Sequence, residues 1–458
     1  MKLSKSAAQL YNAQRPADAV AMPCWAPLKS MYLGFRGNVS VCCFNKMHVI
    51  GKFPEQSLEE IWNGPKMAEI RTALGEDDFS KGCHGCYELI DAGNYNALPA
   101  KNFDALPVAG SNFPTKIDFE LSNECNLECV MCRGEFSSAI RRNREKLPAI
   151  PSAYDASLIE QLEAFIPHIH HSHFLGGEPF LIPFYLNIWE RMVDLNPGIR
   201  ISVQTNGTIL TDRIKKILDS IRFEIGVSID SIDAANYEVI RKNADFDKVM
   251  DNIAYFREYC QERNTHFHLS YCPMVQNWRE LPEVIAFANS LDCEVFFNTV
   301  YKPANCSLAA LGAEELQAIV VALQDAPLPV ETAIQRTNRR SFEQVVKQLE
   351  YWGNEALQKE QRTLGTAEVD TIQGYLAGLQ NYLNEQEELT AAERHQMQTE
   401  ISSKLSYILE VADQHGMYAK AEEHLMQMDY KTVCQSVPKV EKEHLLYLFK
   451  SFIMPLPD

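Results

Sequence analysis

The sequence lacks any run close to the roughly 18 consecutive apolar residues that a membrane-crossing helix needs, and Met1-Lys2-Leu3-Ser4-Lys5 is followed by no apolar signal core. Basic residues are also in short supply. Lys plus Arg number 43 against 61 Asp plus Glu, a formal net charge of -18 over 458 residues. That balance opposes attraction to phosphate backbones or anionic lipid except through a local basic patch. The expectation is a cytoplasmic chain that engages neither membrane nor nucleic acid. Thirteen cysteines are too few for a disulfide scaffold of this length. Low-complexity tracts and internal repeats are missing too, and with 46% hydrophobic and 23% charged residues the composition is that of a globular protein able to build two or three cores.

Between residues 116 and 300 six short strand-like runs alternate with helix-length amphipathic stretches: 116–121, 173–176, 200–205, 223–229, 266–272 and 293–300. Strict alternation argues a parallel sheet with right-handed crossovers. Strands buried on both faces read as continuous apolar runs, but here Asp118 and Glu120, Ser202 and Gln204, Glu224 and Ser228, and His268 and Ser270 interrupt at every second place. One face therefore lines something polar. Six βα units curled into an incomplete barrel satisfy this, with chemistry at the C-terminal strand ends, and an open doubly wound sheet is the competing layout. From residue 309 the chain turns Glu- and Gln-rich with helical stripes, Val369/Ile372/Leu376/Leu379/Leu383 and Met397/Ile401/Leu405/Ile408, and a capping box at Thr390 and Glu393. The expected division is a Cys-rich region over 1–110 with a helix near 57–74, a barrel over 111–308, and an all-helical domain over 309–458.

The cysteines are unevenly spaced. Eight lie before residue 133: Cys24, Cys42, Cys43, Cys83, Cys86, Cys125, Cys129 and Cys132; the other five are scattered singly, as small buried residues are. Cys125-x3-Cys129-x2-Cys132 follows the first strand, at the catalytic edge. A four-iron cubane takes four thiolates, so a loop offering three leaves one iron open to another ligand. Zinc with a remote fourth ligand is the alternative. Cys24, Cys42, Cys83 and Cys86 supply four thiolates for a closed site, structural zinc or a second four-iron cluster, with Cys43 as a substitute for Cys42.

The triplet and the strand pattern resemble the radical S-adenosylmethionine (SAM) superfamily over residues 115–306. The resemblance implies a partial (β/α)6 barrel, a [4Fe-4S] cluster on Cys125, Cys129 and Cys132 whose open iron binds SAM, and reductive cleavage of SAM to a 5′-deoxyadenosyl radical that abstracts hydrogen from a substrate. It further implies SAM contacts from Met131 near the adenine and from Gly176, Gly177, Glu178 and Pro179 toward the methionyl end. Gln204 and Asn206 close the third strand, Ser228 and Asp230 would face the ribose, and Val275, Asn277 and Arg279 would face the adenine and carboxylate. The N-terminal cysteines, with 56–63 as the intervening helix, resemble the auxiliary modules called twitch and SPASM. These imply a second [4Fe-4S] cluster, although such modules usually follow the barrel and this one precedes it.

Other candidates are His168, His170, His171 and His173, read as packing residues, and Cys272, a possible hydrogen-atom donor on the lumen side of the fifth strand beside His268 and Ser270. The expected substrate is a peptide or protein side chain. Alternatives are oxidation or epimerisation of a small sugar- or nucleotide-like molecule, or a zinc-stabilised binding protein without catalysis. An electron donor such as flavodoxin or ferredoxin is the expected partner.

Overall fold

A computed structural model describes residues 1–46, 48–107, 112–363, 371–386, 388–414, 416–426, 428, 430–439, 442 and 445–446. The chain forms two compact units, Met1–Ala356 and Leu357–Asp458.

The first unit is built on one nine-stranded sheet: β1 Ser30–Gly34, β2 Asn38–Ser40, β3 Gly51–Lys52, β4 Lys116–Glu120, β5 His171–Phe174, β6 Arg200–Thr205, β7 Arg222–Ser228, β8 Phe267–Tyr271 and β9 Glu294–Phe297. The spatial order is β3-β2-β1-β4-β5-β6-β7-β8-β9. Strands β4 to β9 are parallel and adjacent in chain order. A doubly wound sheet reverses direction at a switch point; here every crossover advances the same way, the path of a barrel. The sheet ends at β3 and β9, so that barrel is incomplete. The six expected strands are all present, β6 with the expected bounds and the others with ends moved by at most three residues.

Alternation divides the two faces. On β6, Ile201, Val203 and Thr205 are buried under the helices while Ser202 and Gln204 face the lumen. The outer layer is aromatic. Pro183 opens the helix Pro183–Leu195, where its missing N–H costs nothing. From that helix Trp189 sets its ring edge-on against Phe174 and Phe223, with centroids 5.1 and 5.2 Å apart. Truncating so buried an aromatic would cost about 3–5 kcal/mol.

Three strands had no sequence signal. All five residues of β1 are buried, so it shows no alternation, and β2 and β3 have only three and two residues. β1 runs parallel to β4, Tyr32 opposite Asp118 and Gly34 opposite Glu120. The N-terminal region and the barrel thus share a sheet, and the expected boundary between them, at residues 110 and 111, lies outside the described residues. The helix expected over 57–74 is two helices, Leu58–Trp62 and Pro65–Gly75, because Pro65 cannot donate back into the first.

The boundary at residue 308 needs correction. Leu316, Ile319, Leu323, Phe342 and Leu349 belong to the barrel's own core. Asn338 accepts from the Val295 amide at 3.0 Å and donates to the Cys293 carbonyl at 2.9 Å, binding this helical segment to β9. Helical periodicity said nothing about which core these residues join.

The second unit is helical, with Ile372–Asn384, Ala391–Gln414, Tyr418–Met426 and Tyr430–Ser436 among its described elements. Ile372, Leu379, Leu383, Ile401, Leu405 and Ile408 form its buried stripes. Val369 lies outside the described residues. Thr390 and Glu393 make the reciprocal cap, at 2.8 and 3.3 Å. Among the described residues no helix is long and apolar enough to cross a membrane.

Candidate active site and auxiliary thiol cavity

Chain direction at the end of β4 delivers Cys125, Cys129 and Cys132 to the C-terminal edge of the barrel. The loop is pinned from two sides. Glu128 and Val130 donate to the Lys242 and Ile240 carbonyls at 3.0 and 2.9 Å. Ser137 Oγ donates to Leu127 O at 2.7 Å, and Asn123 Nδ2 to Gly134 O at 2.9 Å. Cys129 is buried while Cys125 and Cys132 are half-buried. Burial raises all three thiols, Cys129 to about 12, and the Arg241 guanidinium opposes it at Cys129 and Cys132. Burial penalises a free thiolate, so metal binding must displace the protons.

The two glycines of the next loop are required sterically. Gly176 and Gly177 have φ of +80° and +48°, and a Cβ on Gly177 would lie 2.1 Å from Glu124 O. That approach lets the Glu178 amide donate to Glu124 O at 2.7 Å, locking this loop onto the cysteine loop. Glu178, expected to face the methionyl end of SAM, bridges the strand ends in this structure. Its side chain is fully buried, and its oxygens accept from Thr205 Oγ1 at 2.7 Å, Asn206 N at 2.6 Å and Phe180 N at 3.1 Å. Burial pushes the carboxyl up to about 7 against those donors. In this geometry Glu178 joins the second and third strand ends, and Pro179 is buried.

Asn206 stays near the cysteines: its Nδ2 lies 3.9 Å from Cys125 Sγ and donates to Asn126 Oδ1 at 3.0 Å. Gln204 and Ser228 meet on the lumen face at 2.8 Å, and Ser270 donates to Gln204 at 3.1 Å. The Asp230 side chain is fully buried. It pairs with Arg241 at 2.6 Å and accepts from Cys272 N at 2.8 Å. Asn277 is likewise spent on the backbone, donating to Asp230 O and Cys272 O and accepting from Met274 N. Val275 is half-buried, with its amide on Cys306 O at 3.1 Å. Arg279 is exposed, its guanidinium stacked 4.3 Å over Trp278. Met131 and Cys272 pack at the edge of a small apolar cluster with Ile240, Met274, Val300 and Cys306. Burial raises the Cys272 thiol far above its ordinary range, as for a packed thiol.

The second cysteine set surrounds a cavity of about 340 Å³ whose walls include Cys24, Cys42, Cys83 and Cys86, with Leu74, Phe79 and Phe103. Two N–H groups already face sulfur: Ala26 N lies 3.5 Å from Cys24 and Asn45 Nδ2 3.3 Å from Cys83. An all-sulfur donor set around a roomy, apolar cavity with N–H···S donors fits an iron-sulfur cluster. Among the described residues no three His, Cys, Asp or Glu side chains converge closely enough to share one metal ion. Cys43 is not among the cavity's lining residues and feels Asp118, Lys116 and Lys46.

Sequence reasoning missed Arg241 and Tyr32. Arg241 is buried between Asp230 and Cys129, its Nη1 4.0 Å from the sulfur. Tyr32 reaches from β1 to donate to Glu120, which also pairs with Lys46 at 2.5 Å. Neither belonged to a recognisable local pattern. The histidines at β5 are at the opposite edge from the cysteines. His171 bonds Ser202 at 2.7 Å and His168 stacks on Phe113 at 4.4 Å.

Residues 119–288 match the radical SAM superfamily, and residues 24–87 match an iron-sulfur cluster-binding domain, SPASM. A probable GTP 3',8-cyclase from Methanocella arvoryzae is 30% identical over 142 residues, 30% of this chain and 42% of that protein. An AdoMet-dependent heme synthase from Methanosarcina barkeri is 27% identical over 197 residues, 42% of this chain and 52% of that one. A cysteine-type anaerobic sulfatase-maturating enzyme from Clostridium novyi is 28% identical over 158 residues, 31% of this chain and 40% of that one. The chain thus spans about half or less of the length of these curated relatives. Among solved structures, native anSMEcpe with bound AdoMet is similar at 20% identity and a TM-score of 0.36, covering 46% of this chain and 60% of that one. Streptococcus suis SuiB bound to S-adenosylmethionine is similar at 16% identity and a TM-score of 0.34, covering 57% and 56%.

Proposed function

From a chain that carries a SPASM module followed by a radical SAM domain, we propose an enzyme that cleaves SAM reductively and modifies a peptide or protein side chain by hydrogen abstraction. When bound, the cluster and SAM supply a 5′-deoxyadenosyl radical at the C-terminal edge of the barrel. Cys125, Cys129 and Cys132 would hold the first cluster, and Cys24, Cys42, Cys83 and Cys86 a fully ligated second one. Gly176, Gly177, Gln204, Asn206 and Ser228 surround the place for SAM. Glu178, Asp230 and Asn277 hold those strand ends in position.

The observation that carries this reading is the shared sheet. Strand β1 of the SPASM module pairs with β4, and its Tyr32 enters the lumen wall at Glu120. A second cluster would thus flank the chamber in which a substrate radical forms. A saturated cluster there suits electron transfer, not SAM cleavage. The lumen carboxylates Asp118, Glu120 and Glu224 each face a cation, Lys116, Lys46 and Arg200 respectively. That balanced lining supports a neutral side chain over a nucleoside triphosphate, the reading suggested by similarity to the GTP cyclases.

The test is a Cys83→Ala, Cys86→Ala double variant, checked by circular dichroism for folding. With dithionite and SAM it should still release 5′-deoxyadenosine. In mass spectrometry against a panel of candidate peptides, it should fail to make any product that the unmodified enzyme makes. Full peptide turnover by the folded variant would sink the electron-transfer role.

A further inference from the structure

The net charge of -18 is not spread evenly. Between residues 133 and 147, directly after the cysteine triplet, five basic residues stand against two acidic ones. Several of them reach the surface: Arg133, Arg142, Arg144 and Lys146 are exposed, and so are Phe136 at 36% and Leu147 at 40%. The segment folds back on itself. Gly134 N donates to Glu145 Oε1 at 2.7 Å and Leu147 N to Arg141 O at 3.0 Å, while the Arg133 guanidinium lies 5.0 Å over the Phe136 ring. Glu135 pairs with Arg133 at 3.0 Å, and the other exposed cations, Arg142, Arg144 and Lys146, outnumber the one remaining acid, Glu145, beside the apolar Phe136 and Leu147. Exposed aromatic and arginine side chains with a basic rim have the composition of a protein-binding surface.

Its placement is specific. Arg144 donates from Nη1 to Cys129 O at 3.5 Å and from Nη2 to Cys132 O. The surface is therefore one side chain away from two cluster ligands. An electron carrier meets two requirements here: proximity to the redox centre, and attraction to this patch against the repulsion of an acidic molecule elsewhere.

We propose that the surface formed by Arg133, Phe136, Arg142, Lys146 and Leu147 is the docking face for a small acidic flavoprotein that reduces the Cys125/Cys129/Cys132 site. The proposal rests on the reading that this site holds a reducible cluster. One electron leaves the donor's reduced flavin, which is oxidised by one electron, and enters the oxidised cluster, which is reduced by one.

The test compares two reductants on the full, reconstituted chain, with 5′-deoxyadenosine release as the readout. Dithionite is small and needs no docking face; reduced flavodoxin does. An Arg142→Glu, Lys146→Glu double variant, with iron content and circular dichroism unchanged, should match the parent with dithionite. With flavodoxin its rate at low salt should fall by about tenfold or more, as expected when steering charges are reversed. The parent's flavodoxin rate should drop as salt rises from about 50 to 200 mM, and the variant's should not. Equal flavodoxin rates in parent and variant overturn the proposal. So does equal loss with both reductants, which assigns the segment to support of the cluster loop. So does loss of binding to an acidic peptide with the flavodoxin rate kept, which assigns the face to substrate. A parent that releases no deoxyadenosine even with dithionite refutes the underlying reading instead.

Discussion

Replacing Gly177 by alanine tests how the second strand end positions the cysteine loop. A Cβ at this position would sit 2.1 Å from Glu124 O, 2.7 Å from Glu124 C and 2.9 Å from Asn123 C. All three are backbone atoms, so no side chain can rotate away. Relief requires the loop to move by about 1 Å, typical of overpacking that costs about 1–3 kcal/mol. The left-handed backbone at φ +48° adds about 1 kcal/mol for any residue with a Cβ. Loss of the Glu178 N to Glu124 O bond adds about 1 kcal/mol more. The sum is about 3–5 kcal/mol. Because Glu124 immediately precedes Cys125, the same shift should lower iron retention at the triplet. Gly93→Ala is the control, since Gly93 is also left-handed at φ +68° but has nothing within 4 Å of the added carbon. Denaturant unfolding and iron analysis measure both effects. If the two variants lose the same stability and retain the same iron, the backbone overlap does not govern the site.

Two further outcomes follow from the geometry. Cys42→Ser should reduce the iron content of reconstituted protein from about eight toward about four per chain, whereas Cys43→Ser should leave it unchanged; the reverse result would put Cys43 in the cavity. His268 is held neutral, its pKa lowered to about 4 by burial first and by His266 and His173 next. The unfolded chain binds a proton at this residue between pH 6.5 and 4 that the folded chain refuses, so stability falls as pH drops through that window. The His268 contribution is at most about 3 kcal/mol, and His268→Gln should flatten that limb of the stability curve. An unaltered acid limb would show that the lumen solvates this imidazole.

Local pattern alone carried a large share of the fold. The strand-helix alternation from Lys116 to Phe297 was legible because each element's period reflects which face it buries, and that is a property of neighbouring residues. The cysteine triplet and Gly176-Gly177-Glu178 were legible for the same reason: ligand spacing and left-handed glycines are encoded within a few positions. What only the tertiary structure decided depends on partners distant in the chain. Pairing of β1 with β4 joins residues more than 80 positions apart, and with no alternation in β1 nothing local announces it. Asp230 and Arg241 read as two separate polar residues until the fold buries them together beside Cys129. Glu178 belongs to a three-residue local motif, but its bonds to Thr205 and Asn206 come from a strand end 27 and 28 positions away and cannot be read from that motif. Adjacent Cys42 and Cys43 differ by the direction their backbone gives each side chain as the chain leaves β2. Composition cannot distinguish them, because a charge or a thiol acquires its role from the dielectric and the donors that packing places around it.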